Sequence, residues 1–191
     1  DDQIIGESMH IILEPQDSFV LMEHSTGKVK ALSGGRGEKT VSLSLNRATN
    51  SYRQPGSTFK VLAAFAPALD ACGQMLGSVY YDGPYEANKK QFRNWYGDDN
   101  YLGWSSIRDG IMYSMNIVAV RCLMETVSPQ LGAEYSKKFG ITSLTDSDYN
   151  PAMALGGLTK GVNNLELTAA FAAIANQGVY TKPVFYTKIV D

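Results

Sequence analysis

Along residues 17–35, DSFVLMEHSTGKVKALSGG, the apolar positions predict a hairpin. Phe19, Val20, Leu21 and Met22 are apolar on both alternating faces, as in a strand covered on each side. Ser25-Thr26-Gly27 supplies a turn, and 29–32 returns. GGRG then leads into an irregular stretch that ends at Gly56. Over 57–72 the pattern changes to a helical one, with Phe59, Leu62, Ala63, Ala66 and Leu69 on the apolar side and Pro67 set to bend or end it. Residues 73–103 are rich in Gly, Tyr, Asp and Asn and read as a long ordered loop pinned by aromatics.

Residues 105–114 and 116–127 read as two helices that meet near Ser114, the first capped by Ser105 or Ser106 and the second followed by Pro129. A short helix over 131–140 closes at Gly140. Residues 163–178, with an Asn cap, an alanine-rich body and a Gly stop, form the clearest helix, and 184–190 are β-rich. Helices gathered around a few strands without βαβ alternation predict an α+β layered fold, with residues 1–191 in one domain.

Composition narrows the function classes. A net charge of -2 leaves no basic field for nucleic acid or an acidic membrane surface. The longest apolar run, 61–69, is interrupted by Pro67 and is too short to span a bilayer. The start, DDQIIGESMH, lacks the layout of a signal peptide and an initiator methionine, as expected of a piece of a longer chain. Cys72 and Cys122 are far apart in apolar segments and read as buried free thiols; without a C-x-x-C there is no support for a zinc or redox site.

The chemistry centres on RQPGSTFKVLAAFAPAL, where one lysine interrupts an apolar run three residues after a serine. A serine needs a base to become a nucleophile. Only His10 and His24 are present, with no G-x-S-x-G elbow, and both read as structural rather than as part of a triad. A lysine can act instead when burial lowers its pKa, because only the neutral amine accepts a proton. Three residues along a helix bring Ser57 and Lys60 onto one face. The same spacing recurs at Ser25 and Lys28, where Gly27 and the turn spoil a helical face. A capping serine and a snorkelling lysine therefore remain an equal reading of the spacing alone. A second pattern, Ser114-x-Asn116, falls in the corner between two helices, where it supplies either caps or a hydroxyl and an amide facing a cleft; Ser44-x-Asn46 repeats it in a polar lead-in.

Taken together, NRATNSYRQPGSTFK, YSMNIVAVR and ALGGLTKGVNNLELTAAFAAIANQGVYTKP resemble the transpeptidase domain of penicillin-binding proteins from about residue 17 onward. RQPGS and GGRG point to the class A, bifunctional branch rather than class B. The resemblance implies an antiparallel sheet packed with helices and an active serine at the start of a central helix. It makes Ser57 the nucleophile toward a D-Ala-D-Ala stem peptide and toward β-lactams, with its N–H as half of an oxyanion hole. Lys60 becomes the base, Ser114 a proton relay, and Asn116 a binder of substrate amide that also holds Lys60. It implies no metal or organic cofactor. It places the parent protein at the outer face of the cytoplasmic membrane, anchored there and carrying a glycosyltransferase.

One departure stands out: the family's Lys-Thr/Ser-Gly motif is absent, so the chain looks truncated and these residues alone are expected not to turn over substrate. The missing strands, or self-association at an open sheet edge, would then complete it. A non-catalytic β-lactam sensor or scaffold of the same fold is the alternative. A β-lactamase is disfavoured, since no Glu here has Asn three residues later.

Smaller signals take bland readings. Asp146, Asp148 and Asn150 have the first spacings of a calcium loop, but Pro151 and Gly157 occupy its Gly and Glu positions, so a polar loop is expected. GGRG lacks a following helix to make a phosphate cradle. Tyr80, Tyr81, Tyr85, Trp95, Tyr96, Tyr101 and Trp104 read first as packing of the long loop, and Gly156-Gly157 as either a cleft floor or a tight turn.

Overall fold

The computed structural model describes residues 15–39 and 41–190. His10 lies outside the described residues. The predicted hairpin is present: β1 (Phe19–Met22) pairs antiparallel with β2 (Val29–Ser33), Phe19 opposite Ser33, with an irregularity at Leu21/Met22. β1 is not covered on each side, however, since Phe19 and Leu21 are exposed. A short helix α1 (Arg47–Asn50) follows, capped by Asn46, whose Oδ1 accepts from Ala48 N at 3.0 Å. That cap is the use to which the structure puts the second Ser-x-Asn.

The helix expected over 57–72 forms in three geometries. A 3₁₀ turn at Gly56–Thr58 leads through Lys60 into a π-helical stretch at Val61–Phe65 and then α2 (Ala66–Ala71). Pro67 has no N–H to donate to the preceding turn, and just before it the ladder widens so that Ala66 N–H reaches Val61 O. The segment stays in the core throughout, where Phe59, Leu62, Ala63, Ala64 and Phe65 are all buried.

The long loop needs correction. Residues 73–103 hold strands: β3 (Val79–Asp82), β4 (Tyr85–Ala87) and β5 (Lys90–Phe92), with β6 (Gly103–Ser106) closing the segment. β3 pairs antiparallel with β6, and β4 with β5. Strands of three or four residues are too short to establish a period against frequent Gly, Asn and Asp, which is why the segment reads as loop. The first helix of the following pair accordingly starts later. α3 (Ile107–Met112) is capped by Ser106 in a reciprocal box with Asp109.

α4 (Asn116–Arg121) runs on as a π-helical stretch, Cys122–Val127. Pro129 does not merely follow it but opens α5 (Pro129–Lys138), whose cap is Ser128. After 3₁₀ turns at Asp146–Asp148 and Pro151–Leu155, α6 (Asn164–Ala175) follows its Asn163 cap as expected. The β-rich 184–190 segment forms no strand, only a bridge from Val184 to Lys28. The hairpin packs on α6, and the central core joins Phe59–Phe65 to Ile117, Val118, Val120, Leu123, Ile141 and Met153. Both cysteines are free; Cys122 is buried and Cys72 half-buried, and burial pushes the Cys122 thiol up to about 11.

Candidate active site

Lys60 is the one buried lysine among the described residues, 2% exposed, and its amine is fully engaged. Nζ donates to the Ser114 carbonyl oxygen at 2.5 Å, to Ser114 Oγ at 3.0 Å and to Asn116 Oδ1 at 2.6 Å. Burial pushes its pKa from the ordinary lysine range down to about 8. An ammonium carries three donors, and here it meets three acceptors. Two of these, the carbonyl and the amide oxygen, can only accept. Ser114 Oγ alone can reverse and donate, so it is the partner able to hand a proton back to a neutral amine.

The three oxygens are gathered by the corner between α3 and α4. Ser114 has φ 50°, the left-handed region that a serine enters at a cost of about 1–2 kcal/mol. That turn brings its carbonyl and its hydroxyl to the same amine. Asn116 does not cap α4, as its residue type suggests; Met115 holds the cap position and Asn116 is the first helical residue. Its amide nitrogen donates to Arg93 O at 2.9 Å, which leaves Oδ1 aimed at Lys60.

Ser57, three residues before Lys60, is exposed in the middle of the 3₁₀ turn. The structure thus brings Lys60, Ser114 and Asn116 together by direct bonds, while Ser57 stands three residues before Lys60 along the chain without being a partner of Nζ. The lead-in to Ser57 is held from a distant part of the chain. Arg53 N donates to Val162 O at 2.9 Å, and Val162 N to Arg53 O at 2.8 Å. Gln54 Nε2 donates to Leu158 O, and Leu158 N returns a bond to Gln54 Oε1 at 2.7 Å. Gly156, with φ 72°, lies so close that a Cβ there would stand 2.3 Å from Gly56 O. Gly156 is therefore the turn residue against which the serine segment rests, whereas a Cβ at Gly157 would meet Ala152 instead.

Sequence reasoning missed Gln54, Arg93 and Asn94 as parts of this site. Gln54 adjoins Pro55-Gly56, but nothing in its residue type marks a backbone clasp. The aromatics expected to pack the long loop divide: Tyr80 is buried and Tyr85, Tyr96 and Tyr101 pack half-buried against the core, whereas Trp95 and Trp104 are 69% and 72% exposed. Trp95 Nε1 donates to Tyr113 O at 2.9 Å, beside Ser114. Asp148 serves the chain itself, accepting Thr145 N at 2.8 Å, Thr159 N at 2.6 Å and Thr159 Oγ1 at 2.7 Å. His24 is exposed at the hairpin turn.

Residues 18–191 match the family described as the penicillin binding protein transpeptidase domain. Penicillin-binding protein 1A of Clostridium tetani is 39% identical over 193 residues, covering 94% of this chain and 24% of that protein. Penicillin-binding protein 1F of Bacillus subtilis is 38% identical over 176 residues, covering 92% and 23%. The chain thus spans about a quarter of the length of the curated relatives it matches. The crystal structure of penicillin-binding protein 1A from Haemophilus influenzae superposes with a TM-score of 0.75 at 29% identity, over 88% of this chain and 25% of that one. PonA1 from Mycobacterium tuberculosis, in complex with penicillin V, shares the fold at a TM-score of 0.75 and 23% identity, over 89% of this chain and 47% of that one. A buried lysine bonded to Ser114 and Asn116, one turn after an exposed serine, is found in a chain that belongs to the penicillin-binding protein transpeptidase family, of class A type.

Proposed function

We propose that this chain carries the acyl-transfer site of a peptidoglycan D,D-transpeptidase, a cell-wall cross-linking enzyme, with Ser57 as nucleophile. The observation that carries the reading is the buried Lys60 amine held between Ser114 and Asn116. In the neutral form Lys60 takes the Ser57 hydroxyl proton as Oγ adds to the penultimate D-Ala carbonyl of a stem peptide. The C–N bond then breaks, and the leaving D-Ala amine takes a proton relayed through Ser114. An amino group of a second stem peptide attacks the ester and releases Ser57. The Ser57 N–H is assigned to half of the oxyanion hole, and Asn116 to the substrate amide. A β-lactam enters the same sequence, but its ring amide opens and the leaving nitrogen stays attached, so the acyl-enzyme persists.

These residues contain no Lys-Thr/Ser-Gly string to give the second oxyanion donor, whose loss from such a site costs about 10²–10³ in rate. They are therefore assigned acylation without efficient turnover. Among the described residues, no helix is long and apolar enough to cross a membrane. The outer face of the cytoplasmic membrane, with an anchor in the parent protein, is the location proposed from the family.

Intact-protein mass spectrometry after incubation with a penicillin tests the reading. One adduct that disappears in Ser57→Ala is expected. A folded chain that takes none would overturn it as an acylating site and leave a non-catalytic scaffold of the same fold.

A further inference from the structure

Asn116 can hold Lys60 only as well as the first turn of α4 is held, and that turn lacks a cap of its own. Met115, in the cap position, makes no side-chain capping bond. The cap comes instead from Asn94, 22 residues earlier, whose Oδ1 accepts Asn116 N at 3.1 Å and Ile117 N at 3.3 Å. Its neighbour Arg93 takes the Asn116 amide nitrogen. Two consecutive loop residues thus fix both the backbone and the side-chain orientation of Asn116.

Asn94 is in turn fixed by Asp82. Asn94 Nδ2 donates to Asp82 Oδ1 at 2.7 Å, and Asp82 Oδ2 accepts Tyr96 OH at 2.7 Å and Leu102 N at 2.9 Å. Asp82 is wholly buried, and all of these donors are neutral. A buried carboxylate without a cation is expensive, and as mere filler an apolar side chain would serve better. What the carboxylate supplies is acceptors on both oxygens, which leaves Asn94 Oδ1 free to face α4.

We propose that Asp82 and Asn94 are a positioning pair for acyl transfer: they set the start of α4 and, through Asn116, the place of the Lys60 amine. The proposal rests on the reading of Ser57 and Lys60 as an acylating site. Its test exchanges the two side chains. Asn94→Asp removes the amide donor and sets a second acid against Asp82, and Asp82→Asn sets two amides against each other. The double exchange, Asp82→Asn with Asn94→Asp, restores one acid and one amide.

Each single variant is expected to speed hydrogen exchange of the Asn116 and Ile117 amides about tenfold, with α6 unchanged, and to slow acylation by a fluorescent penicillin about 10- to 100-fold. The double exchange returns both to within about threefold of the parent. Asn94→Ala in an Asn116→Ala background adds less than about twofold, since its effect passes through Asn116. A folded double exchange that restores neither quantity, or losses from Asn94→Ala and Asn116→Ala that multiply, would overturn the pair. If the parent chain is not acylated at all, the proposed function fails, and the exchange rates of Asn116 and Ile117 still decide whether the pair sets α4.

Discussion

At Lys60 Nζ the balance of donors and acceptors bears on how the amine behaves with pH. Its three acceptors suit the charged form, while burial disfavours charge, and the second effect prevails, giving a pKa of about 8. On the proposed mechanism the acylation rate rises about tenfold per pH unit below that value and levels above it, as stopped-flow rates with a chromogenic β-lactam would read. Unfolding returns the amine to about 10.4, so the unfolded chain binds more protons between the two values and stability rises with pH across that window. A lysine whose rate did not bend near pH 8 would not be the base. Lys60→Arg keeps the charge but cannot be neutral, and is expected to lower acylation by about 10²–10⁴. Ser114 separates backbone from hydroxyl. Ser114→Gly and Ser114→Ala both remove the relay, but only the glycine relieves φ 50°, so its unfolding free energy is expected to exceed that of the alanine variant by about 1 kcal/mol.

Among elements, the segment that docks the serine is set by close contact rather than by side-chain chemistry. Gly156→Ala would drive a Cβ into Gly56 O and force a left-handed alanine. We expect it to cost about 2–3 kcal/mol, lowering Tm, and to slow acylation more than Gly178→Ala, whose added Cβ meets nothing within 4 Å. Elements of this kind also show what the sequence could reveal. α6 was legible because an Asn cap, an apolar body and a stop coincide within one local stretch, and the β1–β2 hairpin because its turn residues interrupt a clear apolar pattern. Ser57, Lys60, Ser114 and Asn116 could be picked out by spacing and by resemblance. Gln54 and Asn94 could not, since each acts on backbone far along the chain and leaves no periodic trace. The short strands of 79–106 were hidden for a related reason: their pairing partners, not their own composition, define them.

For the whole molecule, the buried residues concentrate where Phe59–Phe65, α4 and the Pro151–Leu155 turn meet, and the β4–β5 hairpin joins that core through Phe92, with Tyr85 and Ala87 packed half-buried against it. Hydrogen exchange should follow this weighting: amides of 62–66, 68 and 119–123 exchange only with global unfolding, while those of β4 and β5 open locally at lower free energy. Equal protection in both regions would contradict it. The bonds between Gln54 and Leu158 join positions 104 apart in the sequence. A chain made from its N-terminus therefore holds its serine segment without a seat until more than a hundred further residues have appeared. On the proposed reading, reactivity toward penicillin is then a clock for folding, silent in every intermediate that has built the helical centre but not yet closed this distant clasp.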